Sequence, residues 1–284
     1  MSAPQRGTAS ASKWSDLGLR AASAVVLIPA VLYDVWVGGI WFGVLVALAA
    51  VLVAQEWVSL VHRQNPVQFA LHAAAALSGA VLPFGASPLA ALAAIAMLWV
   101  LSAALVKLRD PAPVKWSWLG VPYCGFPALA LVLLHGEPRY GAAAVVWVLV
   151  TVWAADTLAY FAGRTIGGPK LAPVLSPKKT WAGLGGAIAG SALASAVFCL
   201  VLGLPGSAWL ILVAGAMAIV EQGGDLFKSA LKRFYGVKDS GTLIPGHGGV
   251  IDRVDGLLAV ACAAALIGLA RGGVSATAAG LLRW

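Results

Sequence analysis

The chain has 284 residues, 61% of them hydrophobic and 11% charged, with a formal net charge of +8. Soluble domains are nearer half apolar and a quarter charged, so this composition excludes an ordinary soluble globular protein. The apolar residues fall in runs of roughly twenty, the length that crosses a bilayer core, and the runs are continuous rather than alternating, which excludes a barrel. The basic balance points to anionic lipid or an anionic substrate and not to nucleic acid, because the charge sits in short connections and not in a basic domain.

Residues 1–15 are small and polar and read as a disordered tail. The run Ala9–Ala11 resembles a signal-cleavage site but precedes the first apolar stretch, so that stretch reads as a retained anchor. Nine spans are predicted, at 18–38, 40–60, 67–85, 88–106, 116–135, 141–163, 183–203, 207–227 and 254–270. With the N-terminus in the cytoplasm, 16 of the 19 Lys and Arg residues face inward, and only Arg139, Arg271 and Arg283 fall outside. This bias also supports an odd number of spans and an extracytoplasmic C-terminus. Connections 164–182 and 228–253 then share the cytoplasmic side. The expected class is an all-α polytopic membrane protein. Residues 16–140 read as a scaffold of five spans, and residues 141–284 as the catalytic region. Cys124, Cys199 and Cys262 have no metal-ligand spacing and read as buried thiols.

Six of the eleven acidic residues lie beyond residue 140: Asp156, Glu221, Asp225, Asp239, Asp252 and Asp255. Asp252 and Asp255 stand i, i+3 at the start of the last span, on one helical face. A helix dipole favours carboxylates there, but two of them repel unless a cation intervenes. A divalent ion is the better answer, since Mg²⁺ takes one or two carboxylates plus substrate phosphates. Arg253, between them in sequence, projects about 100° away. Asp225 ends the eighth span, with Glu221 one turn earlier and Ser229 and Lys232 following at i+4 and i+7. Ionisable residues in a span mark function by default. The bland alternative is a helix-end carboxylate paired with Lys228 or Lys232.

The segment IPGHGGV, residues 244–250, surrounds His247 with Gly246, Gly248 and Gly249, a composition able to present backbone N–H groups to an anion. Lys238 and Arg253 add charge to that reading. The other inward connection carries Arg164, Lys170 and the SPKKT cluster, with Ser176, Lys178, Lys179 and Thr180. Phosphate binding and contact with lipid headgroups compete there. Asp156 shares a helical face with Tyr160 and Arg164 and needs a partner. Cations for several phosphates, carboxylates for a metal and a site at the lipid boundary suit transfer between a nucleoside triphosphate and a phosphate-bearing lipid.

The run from Ser229 to Asp255, with Ser229, Lys232, Arg233, Lys238, Asp239, Pro245, His247, Gly248, Gly249, Asp252, Arg253 and Asp255, resembles the signature of the phosphatidate cytidylyltransferases. ADTLAYFAGRTIG (155–167) and SPKKTW (176–181) resemble the blocks that precede it in that family. The resemblance is firm over about 150–258 and topological before that. It implies conversion of CTP and phosphatidic acid to CDP-diacylglycerol and pyrophosphate. It also implies Mg²⁺, a homodimer, and a site on the cytoplasmic side of the bacterial inner membrane. By the same analogy a second, monovalent cation such as K⁺ lies near Mg²⁺. On this reading Asp225, Lys232, Lys238, Asp239, Asp252 and Asp255 are catalytic, and Asp225, Asp252 and Asp255 carry metal. Asp156, Arg164, Ser176, Lys178, Lys179, Thr180, Ser229, Arg233, His247, Gly248, Gly249 and Arg253 bind substrate. Two positions depart from the pattern: Ala182 and Lys228 stand where many relatives have Glu. Glu221 is a candidate to compensate for the second. The alternatives are a CTP-dependent polyprenol kinase-like transferase and an ion-coupled transporter. The second fits less well, because the charges cluster at one face rather than at the midplane.

Overall fold

The computed structural model describes residues 25–109, 114–204, 207–241 and 249–284. A short apolar helix, α1 (Val25–Val37), comes first. Eight helices long and apolar enough to cross a membrane follow: α2 (Gly39–Val61), α3 (Pro66–Gly85), α4 (Pro88–Arg109), α5 (Val114–His135), α6 (Gly141–Thr165), α7 (Trp181–Leu202), α8 (Ser207–Phe234) and α9 (Ile251–Gly272). A six-residue helix, α10 (Thr277–Leu282), packs back on α9. Among the described residues this integral membrane protein is helical apart from one antiparallel ribbon, β1 (Lys170–Ala172) with β2 (Ser176–Thr180), between α6 and α7. The tail 1–15, His247 and Gly248 lie outside the described residues.

Hydropathy locates most helix ends to within a few residues and misses two features. The helix α8 continues past the predicted 227 to Phe234, because Lys, Ala, Leu and Arg all favour helix, while Lys228, Lys232 and Arg233 lower the hydropathy of this last stretch. Hydropathy senses the lipid boundary, not the end of the hydrogen-bond ladder. The second feature is SPKKT, which is a strand rather than a coil. The termini carry their own signals. Asn65 accepts from the N–H groups of Val67 and Gln68 (3.0 and 3.2 Å), with Pro66 at the first helical position of α3. Thr180 caps α7 by accepting from Gly183 N–H at 3.0 Å. Gly203 ends α7 in the left-handed conformation, with φ +60.

Within lipid, helices associate through close packing and a few polar contacts. Helix α6 packs along α7, α7 along α8 and α8 along α9, while α5 touches α2, α3, α4 and α9. Trp147 Nε1 donates to Ser195 Oγ at 2.9 Å, and Ser191 Oγ to Thr151 O at 2.9 Å, pinning α6 to α7. Gly183, Gly186 and Gly190 make a small-residue stripe on α7. A Cβ on Gly186 would sit 2.5 Å from Leu158 O and 2.6 Å from Ala162 Cβ, whereas one on Gly185 meets nothing within 4 Å.

Gly→Ala in a helix is ordinarily favourable by about 1 kcal/mol, whereas overpacking costs about 1–3 kcal/mol. Gly185→Ala should therefore hold or raise the thermal midpoint of the purified protein in detergent, and Gly186→Ala should lower it. Equal midpoints would remove the α6–α7 contact from the account.

Candidate active site

The site assembles where α8, α9 and β2 meet. Close approach of α8 and α9 depends on glycine. A Cβ on Gly224 would lie 2.8 Å from Asp255 O, and one on Gly256 would lie 2.8 Å from Glu221 Cγ. Short aspartate side chains on the two helices can then share one partner. That partner is Lys228, 8% exposed. Its Nζ lies 2.7 Å from Asp225 Oδ1, 2.7 Å from Asp255 Oδ2 and 3.8 Å from Asp252 Oδ1. The buried Asp255 Oδ2 thus meets its opposite charge as an ion pair.

Two further lysines complete an alternating row. Lys179 of β2 reaches Asp225 Oδ2 at 2.6 Å and donates to Gln222 Oε1 at 2.6 Å. Lys232, one turn beyond Lys228, pairs with Asp252 Oδ1 at 2.5 Å. The other oxygen of Asp252 accepts from Ser240 N–H at 3.0 Å. Burying charge is costly without partners, and here each carboxylate of the trio has a lysine. Asp225 does pair with Lys228, as the bland reading allowed, but in company with Lys179. Glu221 is buried on the α9 side of α8 and accepts from Gln222 Nε2 at 2.6 Å.

The structure brings Asp225, Asp252, Asp255, Lys179 and Lys232 together. The other candidates lie around them or farther off. Asp156, Arg164, Lys178, Lys179, Thr180 and Asp225 all line one polar cleft of about 430 Å³ between α6, the ribbon and α8. Arg164 donates to Tyr160 Oη at 2.6 Å. Arg233 donates to Leu175 O at 3.5 Å and so braces the ribbon. Ser176 opens β2 opposite Ala172. Ser229 is half-buried on α8, and Lys238, Asp239 and Arg253 are exposed. Thr180 caps a helix, as above. On the other side of the lysine row, an apolar groove of about 380 Å³ between α5, α8 and α9 ends on Asp255.

One participant escaped the sequence reading. Glu56 of α2, 2% exposed, accepts from Val250 N–H at 2.7 Å and Ile251 N–H at 2.9 Å. It thereby caps α9 from another helix, at the end that carries Asp252 and Asp255. Ser240 Oγ lies within reach of both Glu56 Oε2 (3.3 Å) and Asp252 Oδ2 (3.0 Å), and its single proton serves one at a time. Gly249 and Gly241 press against Glu56. A Cβ on Gly249 would fall 2.6 Å from Glu56 Oε2, and one on Gly241 2.7 Å from Oε1. The available signal was a lone Glu in an apolar span, which carries functional weight by default.

Removing the Glu56 carboxylate would strand two buried N–H groups, at about 1–3 kcal/mol each. Glu56→Ala should lower the thermal midpoint in detergent and reduce turnover together, with Glu56→Gln intermediate because it keeps one acceptor. A Glu56→Ala protein with unchanged midpoint and turnover would remove this residue from the site.

Comparison with known proteins identifies the family. The model of the cytidylyltransferase family matches residues 18–269. The phosphatidate cytidylyltransferase of Brucella abortus (strain 9-941) is 40% identical over 259 residues, covering 89% of this chain and 94% of its own. That of Pseudomonas aeruginosa is 35% identical over 251 residues, covering 84% and 92%. That of Bacillus subtilis is 38% identical over 148 residues, covering 52% and 55%. With a family model spanning most of its length and relatives matched nearly end to end, the chain belongs to the cytidylyltransferase family.

Proposed function

We infer that this protein transfers the cytidylyl group of CTP to phosphatidic acid, giving CDP-diacylglycerol and pyrophosphate in phospholipid synthesis. The observation that carries this reading is the placement of the lysine–aspartate row. It lies between a polar cleft that reaches Asp225 and an apolar groove that reaches Asp255. A water-soluble triphosphate suits the first, and the acyl chains of a membrane lipid suit the second.

In the transfer, an ionised phosphate oxygen of phosphatidic acid attacks the α-phosphorus of CTP. A P–O bond forms, the bond from the α-phosphorus to the bridging oxygen breaks, and pyrophosphate leaves with that electron pair. The nucleophile needs no base, so the chain's task is positioning and charge neutralisation. Lys178, Lys179 and Arg164 line the cleft and supply cations to the triphosphate. Lys232 holds Asp252, and Lys228 holds Asp225 and Asp255, so the carboxylates keep one geometry through the reaction.

Among the described residues, no three acidic, histidine or cysteine side chains surround a common point suited to a metal, because the lysines stand between the aspartates. Mg²⁺ does not require three. It commonly takes one or two carboxylates and completes its shell with phosphate oxygens and water. The donors are hard oxygens of the kind Mg²⁺ takes, and because Lys228 already stands 2.7 Å from Asp225 Oδ1 and Asp255 Oδ2, they would hold the ion together with the lysines and not in place of them. Asp225, Asp252 and Asp255 are the residues that would hold Mg²⁺, which supplies charge neutralisation at the phosphates when bound. Location in the bacterial inner membrane, a site facing the cytoplasm, nine spans and a homodimer belong to the same proposal. The inward bias of the basic residues supports the sidedness.

Purified protein given labelled CTP, phosphatidic acid and Mg²⁺ should put label into CDP-diacylglycerol, and EDTA should abolish it. Asp255→Ala should lower turnover at least about 100-fold while the protein remains folded. Absence of lipid product from folded wild-type protein would overturn the assignment. A tag after Trp284 should be accessible only from the extracytoplasmic side, and a cytoplasmic tag would overturn the orientation.

A further inference from the structure

We propose that Lys228 is a resident cation of the reaction centre. Its ammonium fills the cation place at the middle of the Asp225–Asp252–Asp255 trio, so the centre works with a divalent ion and without a monovalent one. The proposal rests on the transferase reading above, in which this trio is where the anionic substrates meet.

Geometry separates Lys228 from an ordinary helix-surface pair. Lys179 and Lys232 each meet one carboxylate of the trio, from its edges. Lys228 alone is close to all three, which come from two helices, and its side chain is only 10% exposed. A pair formed merely at i, i+3 on α8 would engage Asp225 and point outward. Here the ammonium turns toward α9 and takes Asp255 at the same 2.7 Å as Asp225. An ammonium and a potassium ion carry the same charge and are near one another in size. Both accept a shell of carboxylate oxygens, and both cannot occupy one place.

Charge gives the same answer. Asp225, Asp252 and Asp255 carry three negative charges, and Lys179, Lys228 and Lys232 carry three positive ones. A neutral cluster admits a triphosphate and a lipid phosphate without a net repulsive field. A neutral residue at 228 would leave one negative charge uncompensated, in a setting where charge is poorly screened. The trio would then have to recruit a cation from solution. Lysine here makes that cation part of the chain, and it accounts for one departure of this sequence from the pattern it resembles: a carboxylate at 228 would add to the negative charge that the ammonium now cancels.

The test uses the full chain in detergent at constant ionic strength, with chloride salts of K⁺ or choline, a cation too large for the trio. For the wild type, both the thermal midpoint and Mg²⁺-dependent turnover should be the same in K⁺ and in choline. Lys228→Met should lose roughly tenfold or more in turnover in choline. K⁺ should raise its midpoint by several degrees through binding to the folded state and restore part of its turnover. Lys228→Arg, which keeps the charge, should show no gain in K⁺ dependence. A wild-type protein stabilised or activated by K⁺ over choline overturns the proposal, and that arm needs no variant. A folded Lys228→Met protein with no new cation dependence overturns it as well. Should Lys228→Met fail to fold, Lys228→Gln takes its place. If the midpoints behave as expected while wild-type protein makes no lipid product in either salt, the resident-cation inference stands and the substrate assignment fails.

Discussion

Charge inside a membrane protein is stable only where opposite charge or aligned hydrogen bonds meet it at contact distance, and the cluster between β2, α8 and α9 is organised by that requirement. Lys179, Asp225, Lys228, Asp255 and Asp252, and then Lys232 form a row of alternating sign across β2, α8 and α9. No member is a long way from an opposite charge, and breaking a buried pair by removing one partner costs about 3–5 kcal/mol. The row therefore ties β2, α8 and α9 to one another through contacts that each need the others in place. It also explains the glycines between α8 and α9. Aspartate side chains are short, so helices that share a lysine through them must approach closely, and Gly224 and Gly256 give the room.

The row has two sides of different character. Toward α6 and the ribbon lies a cleft with Asp156, Arg164 and Lys178 on its walls. Toward α5 the lining becomes Leu119, Pro122, Phe126 and Phe227. A reaction between one substrate dissolved in water and another dissolved in lipid needs such a divide, with the phosphates of both at the seam. Neither half of the site has to carry its substrate through the other's medium.

Much of this was legible from residue order. Eight long apolar helices coincide with predicted runs, because a twenty-residue apolar stretch has few options in lipid. The spacing of Asp252 and Asp255 placed both carboxylates on one face, and both point into the row. Other features depend on partners far away in sequence. Nothing local marks Lys179 as the residue of SPKKT that reaches Asp225, or Thr180 as the one that turns back to cap its own helix. Lys228 was read as a departure or a helix-end partner, since its three carboxylates lie on two helices that only the fold brings together. Gly249 reads as an anion-binding glycine from composition, and in the structure its missing side chain makes room for Glu56. Glu56 itself lies in a helix read as scaffold. Its role depends on N–H groups 194 and 195 residues away.

That long separation has a consequence for how the protein is made. Helix α2 leaves the ribosome well before the start of α9. At about 5–20 residues per second, the interval is on the order of 10–40 s. Throughout it the Glu56 carboxylate waits without the N–H groups it will bind. A nascent chain with all of its earlier helices in place still has an unfinished carboxylate in α2 and no capped start for α9. The reaction centre is thus completed by the last long helix to arrive. Insertion of α9 is the step that brings Asp252 and Asp255 to the lysines of α8 and gives Glu56 its partners.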